Sequence, residues 1–314
     1  MHRIVMTVLL LTGALACGRQ ELWQPGATGP VPGGAAGASA GSGAAGGGGA
    51  AGGTNDGDGS TPDAGADAIQ PFDDGFDVGS LPGLVLWLKA TSGVTLSGGR
   101  NVASWQDDSP SHNDLAETGN DPATFFPSTF RNYYWGGGFA VVDFGSFATM
   151  STSDRTNGTT TLGLGTGDLL VEVVAAWRTG TFDRPGLFSL GVPGKMYATV
   201  LSFDTDNGSQ GELSVRGLDD EVGLTSSPGL GGGTLHVLGV RRSLAGAVAT
   251  VELRRDGAFD RRAIGDPVVD LLPATWAQLG PACTVAEVVV IRGALPDDAL
   301  AALESHLLAK YGLK

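Results

Sequence analysis

"LVLWLKATSGVTLSGGRNVASWQDDSPSHND", Leu84 to Asp114, is the first stretch of this 314-residue chain that reads as built for burial. Its two short apolar runs, 84–89 and 102–105, stand between segments rich in Gly, Ser, Asp and Asn. Runs of that length, punctuated by turn formers, predict strands.

The texture holds from Leu81 to the C-terminus. Further apolar runs fall at 139–144, 168–177, 186–190, 197–203, 212–216, 234–241, 248–255 and 285–292. Asn207-Gly208 and Asp256-Gly257 mark two tight hairpins, because both dipeptides accept the positive φ such turns need. The pattern predicts an all-β sandwich of two antiparallel sheets. The exception is the last element, "DDALAALESHLLAKYG", where Leu300, Leu303, Leu307 and Tyr311 fall at helical spacing. Asp297 and Asp298 suit the N-terminal end of its dipole, Lys310 the C-terminal end and Gly312 the position just past it. A single C-terminal helix is expected to clasp the sandwich.

Upstream the chain is different in kind. Residues 1–16 read as a signal peptide: His2 and Arg3, an apolar run from Ile4 to Leu11, then small residues, too short for the roughly 20 residues that span a bilayer. Leu15-Ala16-Cys17-Gly18 resembles a bacterial lipobox, which would make Cys17 the lipidated N-terminus of an outer-membrane or cell-surface lipoprotein. Ala14-Leu15-Ala16 equally fits ordinary signal cleavage and a secreted soluble protein. Residues 17–80 are expected to form a disordered tether: from Gly33 to Gly53 every residue is Gly, Ala or Ser, too little apolar surface to offset the entropy of ordering. About sixty flexible residues give a mean reach on the order of 45 Å. Gly37-Ala-Ser-Ala-Gly41 matches a nucleophile elbow in letters only, since the strand and helix that strain such a turn are missing from this composition. Apart from Cys17, the chain has one cysteine, Cys283, whose apolar setting predicts a buried thiol.

Leu84 to Asp114, with its Leu-Trp-Leu strand, Ser-Gly-Val turn, Trp105-x-Asp107 and Asn113, resembles the opening of the concanavalin A-like lectin/glucanase superfamily in its laminin-G-like bacterial branch. "AEVVVIRGALPDDALAALESHLLAKYGL" resembles that family's closing strand and helix, including Lys310-Tyr-Gly-Leu313. The resemblance implies a jelly roll over residues 81–314 and leaves the activity open, since the fold hosts lectins, glycosidases and passive modules alike. Two departures stand out. Ser109-Pro-Ser-His-Asn113 replaces the family's Ser-Gly-x-Gly-Asn loop, and Pro296 stands near the helix start where the family has a capping Ser.

Catalytic residues are not identified. The Glu-x-Asp-x-x-Glu strand of laminarinase-type relatives is missing, and Asp219-Asp220-Glu221 and Glu252 with Asp256 have the wrong spacing. Glu172 is a lone carboxylate on an apolar strand, a candidate acid for such an enzyme, and more simply a residue that faces solvent or a partner. His112, His236 and His306 are scattered and make no zinc motif. Asp204, Asp206, Asn207 and Glu212 offer oxygen ligands for calcium around one hairpin, and a solvated Asn-Gly turn explains the same residues. Gly163, Gly165 and Gly167 precede a strand, so they read as a turn and not as a phosphate loop.

A net charge of −14 argues against nucleic acid and anionic membrane surfaces as partners. One segment stands out for binding: in Thr124 to Phe139, Tyr133, Tyr134 and Trp135 would form an aromatic platform of the kind that sugar faces favour, or else pack on the sandwich rim. The sequence therefore predicts a noncatalytic surface or secreted binding module with carbohydrate as its ligand. The alternatives are a glycan-cleaving enzyme with an unfamiliar carboxylate pair and a passive adhesion module with a protein partner.

Overall fold

The computed structural model describes residues 74–118, 121–127, 138–145, 148–152, 162, 164, 167–177, 186–192, 195–204, 212–216, 222–225, 229–230, 232–246, 248–264 and 276–313. A 3-10 turn, Val78–Ser80, precedes β1 (Leu84–Lys89), β2 (Val94–Gly98), β3 (Asn101–Trp105), β4 (Leu115–Glu117), β5 (Thr124–Phe126), β6 (Val141–Phe144) and β7 (Met150–Ser151). There follow β8 (Leu169–Trp177), β9 (Gly186–Val192), β10 (Lys195–Asp204), β11 (Glu212–Arg216), β12 (Val222–Thr225), β13 (His236–Ala245) and β14 (Val248–Arg255). The chain closes with β15 (Ala258–Ile264), β16 (Trp276–Leu279), β17 (Cys283–Arg292) and α1 (Asp297–Lys310).

Antiparallel pairing sorts the strands into two runs. One is β1–β17–β8–β13–β14–β15, with β6 beside the first residues of β17. The other is β2–β3–β4–β7–β16–β9–β10–β11–β12. β5 links them by pairing with both β3 and β6. β10 packs against β13 and β11 against β14, so the two runs lie face to face. The fold is an all-β sandwich with one C-terminal helix, as the texture predicts.

Strand alternation decides which side chains fill the space between the layers. On β8, Val171, Val173 and Ala175 point inward to meet Leu187, Phe188 and Leu190 of β9 and Leu213 and Val215 of β11 in one core. The even-numbered residues on the same strand, Leu170, Val174 and Ala176, point to the other face and are equally buried. β17 behaves the same way, with nine of its ten residues buried. A sheet apolar on both sides needs a second cover, and α1 supplies it through Leu300, Leu303, Leu307 and Tyr311, the four residues of the predicted stripe.

The Trp105-x-Asp107 and Asn113 residues have a structural purpose. β1 is an edge strand beyond its pairing with β17, and the loop after β3 satisfies that edge with side chains. Asp107, fully buried, accepts from Trp87 N at 2.7 Å, Ser109 N at 2.8 Å, Ser109 Oγ at 2.7 Å and Asn113 N at 2.6 Å. Asn113 Nδ2 donates to Val85 O at 2.8 Å, and Asp108 N donates to Trp87 O at 2.9 Å. His112 occupies the second glycine position of the family loop and takes the left-handed conformation itself, with φ of 51°. The loop survives the loss of its glycines.

Pro296 does stand at the N-cap of α1 with no side-chain cap bond, and Arg241 bonded to Asp297 supports that end instead. The other end terminates at Gly312, φ 60°, with Leu313 N donating to Leu308 O at 2.8 Å. Leu303 lies fully buried at the centre of the helix seat, so Leu303→Ala is expected to cost about 2–5 kcal/mol, read as a lowered urea midpoint at unchanged slope.

Candidate functional site

β-Strand alternation puts Trp87 and Lys89 of β1 on the face that α1 covers, but α1 stops short of covering them. The result is an open groove of about 700 Å³ between β1, the segment from Phe76 to Val78, the β5–β6 corner and the last turn of α1. Four half-buried rings face it: Phe76, Trp87, Phe125 and Phe139. Polar groups stand among them, namely Asp77, Lys89, Thr91, Ser92, His306 and Lys310.

Glu287 organises this end of the molecule. Both Ala286 and Glu287 leave the inner core, because β17 shifts register between Val285 and Glu287, a bulge that re-aims the strand. The Glu287 carboxylate is fully buried and accepts from Trp87 Nε1 at 2.7 Å, Lys310 Nζ at 2.6 Å and Tyr311 OH at 2.9 Å. Burial first, then the Glu287 charge, push the Tyr311 phenol well above its usual range, so it stays a donor. Tyr311 in turn meets Phe139 edge-on with centroids 5.2 Å apart. Lys310 and Tyr311 of the closing signature are therefore the parts that lock α1 to β17 beneath the groove.

Lys89 and His306 are paired too. Lys89 Nζ sits 3.8 Å from the Trp87 ring centroid and 2.8 Å from Asp108 Oδ2. His306 Nδ1 lies 2.9 and 3.0 Å from the two Asp74 oxygens, and its ring packs on Phe76 at 5.3 Å. The backbone N–H of Phe76 bonded to Asp74, more than the nearby His306, holds that exposed carboxyl below its usual range. The groove is thus a set of aromatic surfaces with polar groups fixed in place.

Many of the residues singled out in the sequence are not among the described ones. Tyr133, Tyr134 and Trp135 lie outside the described residues, as do Asp206, Asn207, Cys17 and Asp219-Asp220-Glu221. Pro127 and Gly138, at either end of the segment holding the three aromatics, both line the groove. Backbone register sets Asp204 opposite Glu212 across β10 and β11. Glu252 is an ion-pair partner of Arg262, and Asp256 holds His236 Nδ1 at 2.8 Å. Glu172 departs from the solvent-facing or paired reading: it is buried with neither carboxylate oxygen hydrogen-bonded among the described residues, because the face it points to is the one under α1. Among the described residues, no three His, Cys, Asp or Glu side chains converge to hold a metal. Two of the groove rings, Phe125 and Phe139, lie near the two ends of the segment singled out for binding, whereas Phe76 and Trp87 were missed because they come from separate elements.

No family model matches the chain, and no curated protein matches it. Among solved structures, the chain is similar to the botulinum neurotoxin type G receptor binding domain at 7% identity and a TM-score of 0.43, over 71% of this chain and 51% of that one. It is similar to a botulinum neurotoxin serotype D/C binding domain at 8% identity and a TM-score of 0.49, over 74% and 53%. A Trypanosoma rangeli sialidase is similar at 16% identity and a TM-score of 0.41, over 71% and 32%. The chain spans about half the length of the toxin domains it matches.

Removing the shared acceptor tests the locking role. Glu287→Ala leaves Lys310 unpaired and the Trp87 and Tyr311 donors unbonded, and is expected to destabilise the fold by about 3 kcal/mol in urea titration.

Proposed function

We propose that this chain is a noncatalytic binding module whose groove takes a carbohydrate. The observation that carries the reading is the four half-buried rings around an open groove of about 700 Å³, within the size range of small-ligand sites. Sugars present flat C–H faces to rings and hydroxyls to fixed polar groups, and both kinds of surface alternate here. Most glycoside hydrolases use two carboxyl groups free to act on a bound sugar. Beside this groove Glu287 has both oxygens engaged by Trp87, Lys310 and Tyr311, which favours holding over cutting.

A glycan array with the full chain, run with calcium and with chelator, tests the ligand class. Phe139→Ala is expected to weaken the best glycan about tenfold, or about 1–2 kcal/mol, as truncation of an aromatic anchor does. Binding that survives Phe139→Ala but disappears with chelator would move the site to the Asp204, Asp206, Asn207 and Glu212 hairpin. Binding that survives both but is lost in Trp135→Ala would move it to the Tyr133-Tyr134-Trp135 segment. No glycan binding at all would favour a protein partner.

The same proposal places the module outside the cytoplasm, exported by residues 1–16 and anchored through a lipid on Cys17. Cys17→Ala is expected to abolish fatty-acid labelling and release the protein from the membrane fraction. Unmutated protein found soluble outside the cell would replace the anchor with plain secretion.

A further inference from the structure

Glu172 is a buried carboxylate, 1% exposed, whose two oxygens have no hydrogen-bond partner among the described residues. Register sets it between Val289 of β17 and Gly239 of β13, on the face that carries Leu170 and Val174 to α1. A Cβ built on Gly239 would run into the Glu172 carboxyl group, so the strand opposite makes room for it by having no side chain. The next residue along that row, Arg254 of β14, is committed elsewhere: Nε and Nη2 both bond Glu304 of α1, the latter at 2.8 Å.

We propose that Glu172 is a proton-bearing latch beneath α1, neutral while the helix is seated, and that losing its proton unseats the helix. The charged groups facing this region are Arg254 and Glu252 from β14, Glu304 from α1, Arg241 from β13 and Glu287 from β17. Arg254 and Glu304 cancel each other, Glu252 is held by Arg262, Arg241 by Asp297, and Glu287 by Lys310. A charge on Glu172 would therefore be buried and only partly compensated. Burial, reinforced by Glu304 and only partly opposed by Arg254, pushes its carboxyl well above the usual range. An unseated helix exposes Glu172 and returns it to that range. The seat is thus at full strength below the ordinary carboxylate value and is lost as pH rises through the raised one. Because α1 brings His306, Lys310 and Tyr311 to the groove, the latch also controls the groove wall, a consequence that rests on the binding reading above.

Two measurements on the full chain, neither using a ligand, test the latch apart from that reading. The first is the infrared carbonyl band of a protonated carboxyl at neutral pH, expected in the unmutated protein and missing in Glu172→Gln. The second is hydrogen exchange of the 297–310 amides, corrected for its intrinsic pH dependence. Opening coupled to release of one proton is expected to increase by up to about tenfold per pH unit between the ordinary carboxylate value and the raised one in the unmutated protein and to level off above it, with a flat profile in Glu172→Gln. Identical pH profiles, or no protonated-carboxyl band, overturn the proposal. Should Glu172→Gln fail to fold, the unmutated protein decides: the band and the helix protection must be lost together as pH rises, and loss of the band with full protection overturns the latch.

Discussion

The burial of β17 on both of its faces is the constraint from which the other elements follow. A strand reading Cys-Thr-Val-Ala-Glu-Val-Val-Val-Ile has no solvent face, so each side of its sheet must be covered by something apolar. On one side the second sheet does this, and the core between the layers is continuous from β8 and β17 to β9 and β11. On the other side the only helix among the described residues does it, with four apolar side chains spaced for one face. The helix is therefore a third layer, and the groove exists because that layer is shorter than the sheet beneath it.

Asp107, Glu287 and Glu172 are three of the buried carboxylates, and their surroundings set three different roles. Asp107 receives four donors from a single loop and from Trp87, which makes it a stable corner that substitutes for a missing neighbour strand. Glu287 receives donors from β1 and α1 and so ties two layers together. Glu172 receives none among the described residues. A buried carboxylate with a full set of donors is favoured as an anion, whereas one without donors is favoured as a neutral acid. Burial alone does not distinguish them; the hydrogen-bond count does.

The architecture was legible where a period repeats. Helix α1 begins and ends where the stripe and Gly312 put it, and Asp256-Gly257 joins β14 to β15 with φ of 50° and 75° as a hairpin dipeptide should. Strands β4, β5 and β7 were not read because two or three residues show no alternation, and β2 because most of it is exposed. Glu172 was misread for a related reason. Alternation tells which residues share a face of a strand, but not whether that face meets water or a helix that arrives at the end of the chain. The groove was legible only in part, since Phe125 and Phe139 lie in the segment singled out for binding but Phe76 and Trp87 join them only through topology.

The helix layer also needs a reason to sit in one register. An apolar stripe of Leu300, Leu303 and Leu307 on a sheet of Val and Leu is tolerant of sliding, because dispersion and burial are non-directional. Three polar contacts along its length are not tolerant. Asp297 at the start meets Arg241 of β13, Glu304 in the middle meets both Arg254 donors of β14, and Lys310 with Tyr311 at the end meet Glu287 of β17. Moving the helix by one turn would strand all three sets at once, and the Glu287 carboxylate would be left buried without Lys310 or Tyr311. The apolar stripe gives α1 its affinity for the sheet. Its ionic contacts give it one position there, and that position sets where the groove's last wall stands.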